Sequence, residues 1–237
     1  MAAPTPWQSY IQSMNPSPLV MEMMRIFPDG LVITSGIYAL LTQSVPFGIF
    51  CMSMLEATAL YHIIRWVSSY MNIIPVTPRA SGKHNAICRT GFTVPTSPTL
   101  LSLSLFSSSI ESTDILQHFP SSPVYMISAA SSYVFSTLHA QGNDLAALGP
   151  SFSVKYYISM VFLFVLIGAF MCFRIFNNCE TPLTVMLSVP IGLLVGVLLV
   201  QQNLRFFNKS GINLLGIPQM SSVTANGQKI YVCPGAV

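Results

Sequence analysis

The sequence predicts a mainly α, polytopic α-helical membrane protein with three to four transmembrane helices and a mixed α/β extramembrane region. Three observations carry this. Residues 156–173 contain no charge and are bracketed by Lys155 and Arg174; residues 181–204 are likewise uncharged, between Glu180 and Arg205. Apolar runs of 18 or more residues, at about 1.5 Å each, match a bilayer core of roughly 30 Å. Hydrocarbon offers backbone amides no partner, so each run is read as a helix, and the short link makes 155–205 an antiparallel hairpin. Third, charged residues are 7% and apolar residues 52%, against about 25% charged in ordinary globular chains. That is too few charges to coat a water-facing surface of this size.

Residues 1–30 form the N-terminal segment. A short helical pattern over 19–27 is stopped by the turn signal Pro28-Asp29-Gly30. Its Met and Leu side suits an amphipathic helix lying in the interface plane, or a capped helix packed on a neighbour. Residues 31–72 are the first membrane region. The uncharged run 31–55 is interrupted by Pro46, and apolar character continues beyond it. Either 31–55 is one span kinked at Pro46, or 31–43 and 45–66 form a hairpin. Ser44-Val45-Pro46-Phe47-Gly48 echoes Ser188-Val189-Pro190-Ile191-Gly192, a weak sign of internal duplication.

Residues 73–154 read as a Ser-rich extramembrane region. Strand-like stretches cover 86–94 and 101–105, the second alternating with period two. Ser122-Pro123 marks a helix start for 124–139, and Gly149-Pro150 separates the region from the hairpin. The tail, 206–237, carries Asn226-Gly227 between strand-like flanks, a strong β-hairpin signal. An isolated hairpin is marginal in water, so this one is expected to pair with a partner sheet.

The net charge is +3 and no Lys/Arg cluster exists, so the phosphate-neutralising term behind nucleic-acid binding is missing. Cys51, Cys88, Cys172, Cys179 and Cys233 are odd in number and lack a CxxC, which supports neither a zinc site nor a disulfide framework. The N-terminal stretch has no basic, then apolar, signal-peptide pattern, so insertion is expected to rely on internal spans. Eight basic residues against two place 73–154 and the tail together on the cytosol-like side.

Motif-level chemistry is absent: there is no GxSxG, HExxH, P-loop or GxGxxG, and the four histidines lack ligand spacing. The expectation is a non-enzyme without metal or cofactor. Glu56, with His62 and Arg65 downstream, is the intramembrane polar candidate, read either as an ion relay or, more simply, as a structural group. Ser188, Gly192 and Gly196 form a small-residue stripe for close helix packing, with 156–173 as a candidate partner. Pro190 is expected to kink its helix.

Spans joined by a serine-rich, sparsely charged stretch, with SVPFG and SVPIG inside them and NLLGIP (213–218) beyond, resemble the membrane-embedded minor capsid proteins of large icosahedral double-stranded DNA viruses, including those of algae. The resemblance implies a structural protein of the virion's internal membrane that anchors the bilayer to the capsid shell. Its partners would be lipid and capsid or other membrane proteins in a large assembly, with no nucleic acid and no cofactor. The competing expectations are a small transporter or channel subunit using Glu56, or an accessory subunit of a large membrane complex.

Overall fold

Apolar surroundings override local turn chemistry in the first helix. In the computed structural model, which describes residues 18–71, 88, 92–94, 101–103, 119–142, 145, 150–214, 216, 219–223 and 229–232, α1 runs unbroken over Pro18–Thr42 with Pro28 inside it. The turn expected at Pro28-Asp29-Gly30 does not form. A proline inside a helix costs about 3 kcal/mol, whereas opening the backbone in hydrocarbon leaves several groups unpaired at several kcal/mol each. The helix therefore continues.

It ends where the chain can reverse. Gln43 takes a positive φ of 52°, and the Ser44 amide donates back to Ala39 O at 3.2 Å, a Schellman-type stop. α2, Val45–Met71, follows at once with Pro46 in its first turn, where a proline removes no helical hydrogen bond. Pro46 is thus a helix starter, not a kink; the chain turns back here as a hairpin whose first arm begins at Pro18, not Leu31. Ser188-Val189-Pro190 lies well inside its own helix, so the two echoing pentapeptides occupy unlike places.

Three further long helices are α3 (Ser122–Ala140), α4 (Pro150–Phe176) and α5 (Pro182–Gly211). Helices long and apolar enough to cross a membrane number four among the described residues: Glu22–Thr42, Val45–Met71, Val154–Phe176 and Pro182–Gly211. The chain is an integral membrane protein. α5 keeps helical dihedrals through Pro190; its break falls at Asn208, φ 58°.

α3 holds six Ser/Thr in 19 residues, too polar to count with the four, yet 121–133 are buried without interruption. The helix expected over 124–139 exists, starting two residues early, but it is no extramembrane element. Its 19 residues span about 28 Å, and the other four helices shield it. On one side Tyr125, Met126 and Tyr133 join Phe50, Met54 and Tyr61 of α2 and Val195 and Leu199 of α5. On the other, Ile127 meets Ile167 and Phe170 of α4, with Phe27 of α1 packed on that cluster. The Phe27 and Phe170 rings lie 5.0 Å apart.

Among the described residues, strands are confined to two antiparallel ladders: β1 (Phe92–Val94) with β2 (Leu101–Leu103), and β3 (Gln219–Val223) with β4 (Lys229–Val232). The described residues do not support a mixed α/β extramembrane region. Asn226 and Gly227 fall between β3 and β4, outside the described residues.

Consecutive helices alternate in direction, so the end of α2, the start of α3 and the α4–α5 link share one face of the bundle. Cys88 and Cys179 form a disulfide there, contrary to the expectation of no disulfide. The tail leaves α5 at the opposite end, so Cys88 and the start of the tail lie at different ends of the bundle, where the charge count suggested a common side. The cross-link closes a loop of 91 residues around α3 and α4. Cys179→Ser is expected to cost about 2–4 kcal/mol, read as a lower unfolding midpoint in detergent, with dithiothreitol shifting the wild type equally.

Candidate functional site: polar contacts within the helix bundle

The α4–α5 link is built from its own capping groups. Asn178 adopts φ 51°; its amide donates to Ile175 O and that of Cys179 to Arg174 O, at 3.0 and 2.9 Å. Thr181 then caps α5, its hydroxyl accepting from the Thr184 amide at 3.3 Å. This turn fixes Cys179 and Glu180 beneath the end of α4. Arg174 pairs with Glu180, their side chains 6% and 10% exposed, and its Nη1 donates to Cys88 O at 2.9 Å. Beside them, Ser122 and Arg65 reach the Tyr61 hydroxyl.

Ser188, Gly192 and Gly196 do form the packing stripe, but against α3, not α4. A Cβ placed on Gly192 would stand 2.8 Å from Ser128 Cβ, and one on Gly196 2.9 Å from Ser132 Cβ, with the Tyr125 and Ala129 carbonyls nearer still. The two helices run parallel, small residues facing small residues. Ser188 Oγ accepts from the Ser121 amide at 2.7 Å, and Ser132 Oγ donates to Leu193 O at 2.7 Å. Close approach thereby brings the Ser188 and Ser132 hydroxyls to partners on the facing helix.

Between α2, α3 and α5, Asn203 Nδ2 donates to Ser53 Oγ at 2.7 Å and to Tyr133 Oη at 2.9 Å. Tyr125 Oη donates to Ala57 O at 2.9 Å. Asn203→Leu is expected to cost only about 1 kcal/mol, since hydrogen bonds between membrane helices average about 0.6 kcal/mol. Denaturant titration in mixed micelles checks this; a loss above about 3 kcal/mol would mean that the node, rather than packing, holds α2 to α5.

The structure holds Glu56 against Gln202, while His62 and Arg65 both lie beside Tyr61. His62 stacks edge-on to Tyr61 with centroids 5.3 Å apart, and Arg65 belongs to the Tyr61 end. Glu56 is exposed on the outer face, where Gln202 Nε2 donates to its two carboxylate oxygens at 3.1 and 3.2 Å. Two apolar hollows, one along α1 and one between α3, α4 and α5, have linings that do not include Glu56.

Sequence reasoning missed Asp29, 1% exposed within α1, along with Asn203 and the Arg174–Glu180 pair. Among the described residues no three His, Cys, Asp or Glu side chains gather as a metal site. Comparison with family models, curated proteins and solved structures returns no match.

Proposed function

We propose that the chain is a structural membrane protein that anchors a bilayer to a surrounding protein assembly. In its specific form, the assembly is the capsid of a large icosahedral double-stranded DNA virus, and the chain is a minor capsid protein of the internal membrane. The observation that carries the structural reading is the placement of polar groups. Inside the bundle Arg174 pairs with Glu180, and Asn203 with Ser53 and Tyr133, across helices, while the carboxylate Glu56 is exposed on the outer face, as a contact group is. A transport pathway needs the reverse, a carboxylate facing an internal aqueous cavity. The virion placement rests on the likeness of organisation noted in the sequence.

Disulfides persist on an oxidising side of a membrane, so the Cys88–Cys179 bond supports a topology with the tail on the reducing, cytosol-like side. Two measurements test the proposal. Proteoliposomes of the wild type and Glu56→Gln are expected to be equally tight to ions and small solutes; flux that collapses in Glu56→Gln would replace this reading with a channel or transporter. Native membranes in mild detergent should release the chain in a large particle. A chain of 25.9 kDa running alone in its micelle would remove the assembly role.

A further inference from the structure

Between α3, α4 and α5 lies a partly open cavity of about 230 Å³. α3 contributes Ser131, Ser132 and Phe135 to its wall, α4 contributes Met160 and Phe164, and α5 contributes Leu193. Its described lining carries no charged side chain. Phe135 and Phe164 reach the surface, 37% and 66% exposed, and exposed neighbours such as Val161 and Leu194 are apolar. The cavity therefore opens onto the lipid-facing side of the bundle.

One group in the wall is unsatisfied. Ser132 Oγ is engaged by Leu193 O at 2.7 Å. Ser131 is 4% exposed, and its hydroxyl has no hydrogen-bond partner within the protein. The Ser121 and Ser128 hydroxyls are unpaired as well, but of the three only Ser131 lines the cavity. A buried hydroxyl left without a partner is costly, so an occupant that supplies one is favoured. Water suits the space poorly, because it needs roughly two to four polar partners and the wall offers two hydroxyls, one already engaged. An acyl chain would fill the volume yet leave Ser131 unpaired. A carboxylate or phosphate would find no cation to meet it. A ring fits better. An apolar cavity of about 150 Å³ admits benzene, and this one is larger. Phe135 and Phe164 offer aromatic surface, and the Met160 thioether favours contact with a ring.

We propose that this cavity binds an uncharged, lipid-soluble molecule with an aromatic ring and one phenol-type hydroxyl, which pairs with Ser131 Oγ. Such a hydroxyl donates and accepts, so it serves Ser131 in either orientation. Further substituents on the ring leave past Phe135 and Phe164 into the bilayer. The site is independent of the anchoring role proposed above, and its failure would leave that role standing.

The test uses the full chain in phosphatidylcholine vesicles, a phenol bearing a photoactivatable diazirine, and two competitors of nearly equal shape, 4-propylphenol and propylbenzene. The label should map by mass spectrometry to Phe135, Met160 or Phe164. At equal concentration in the bilayer, 4-propylphenol should displace it about tenfold better than propylbenzene, the weight of one buried hydrogen bond. Ser131→Ala, which removes only an unpaired hydroxyl, should erase that preference in protein whose Cys88–Cys179 bond is intact on non-reducing gels. Met160→Trp, which fills the cavity, should abolish the labelling. The wild-type comparison of the two competitors stands even if both variants fail to fold. Equal displacement by the two competitors overturns the proposal and leaves a cavity for hydrocarbon. So does a preference that survives Ser131→Ala, or label spread evenly along the outer face of α4.

Discussion

Gly196→Leu is expected to uncouple α3 from α5 and to destabilise the bundle by more than about 3 kcal/mol, the upper end of ordinary core overpacking. The reason is what the new atoms meet. A Cβ at this position would stand 2.9 Å from both Ser132 Cβ and the Tyr133 amide nitrogen, and closer to the Ala129 carbonyl oxygen. Backbone cannot rotate away as a side-chain tip can. α3 itself cannot retreat, because its other side is packed on α4 and α1. Separating the helices also breaks the Ser132–Leu193 and Ser188–Ser121 hydrogen bonds. Even Gly196→Ala should lose most of this amount, and Gly192→Ala likewise. Gly168→Ala in α4 is the control: nothing lies within 4 Å of its added Cβ, so it should gain up to about 1 kcal/mol of helix propensity. Circular dichroism across a denaturant titration in mixed micelles measures all of them. A Gly196→Leu protein as stable as the wild type would mean that the close α3–α5 contact is not what holds the core.

The same contact shows what the sequence could and could not disclose. The glycine stripe was legible because small residues four apart on one helix open a groove that a second backbone can enter. Its partner was not, since the facing Ser128 and Ser132 sit in a segment whose hydroxyls lower its apolarity below that of a span. Ser122-Pro123 announced the helix, but burial of α3 depends on four neighbours that local pattern does not contain. Pro28-Asp29-Gly30 misled for a related reason: turn rules assume water ready to receive freed amides. Glu56 stood out as a lone charge in an apolar run. Gln202, 146 residues away, carried no signal. Cys88 and Cys179 were equally opaque, because a distant cross-link has no spacing rule.

Arg174 and Glu180 were visible only as brackets of two spans, and their pairing yields the second large effect. Arg174→Met is expected to cost about 3–5 kcal/mol, because it leaves a buried carboxylate without its cation. It also strips the Cys88 carbonyl of its donor. Removing both charges should be milder. In an Arg174→Met, Glu180→Met double variant the desolvation of two ions disappears together with their attraction, a trade often neutral or favourable. What remains is the orphaned Cys88 carbonyl, about 1 kcal/mol. The pair at the start of α1, with one partner exposed, gives the contrast. Glu22, its side chain 53% exposed, meets Arg25 at 2.6 Å, and Glu22→Gln should change stability by no more than about 1 kcal/mol. Unfolding midpoints of the two single variants and the double, each with the disulfide intact, form a cycle. A double variant no more stable than Arg174→Met alone would show that the damage comes from the lost Cys88 contact and not from the stranded charge. A double variant well above Arg174→Met would assign the pair its role: each ion is held in place to neutralise the other, and the bond to Cys88 fixes where the segment after α2 meets the bundle.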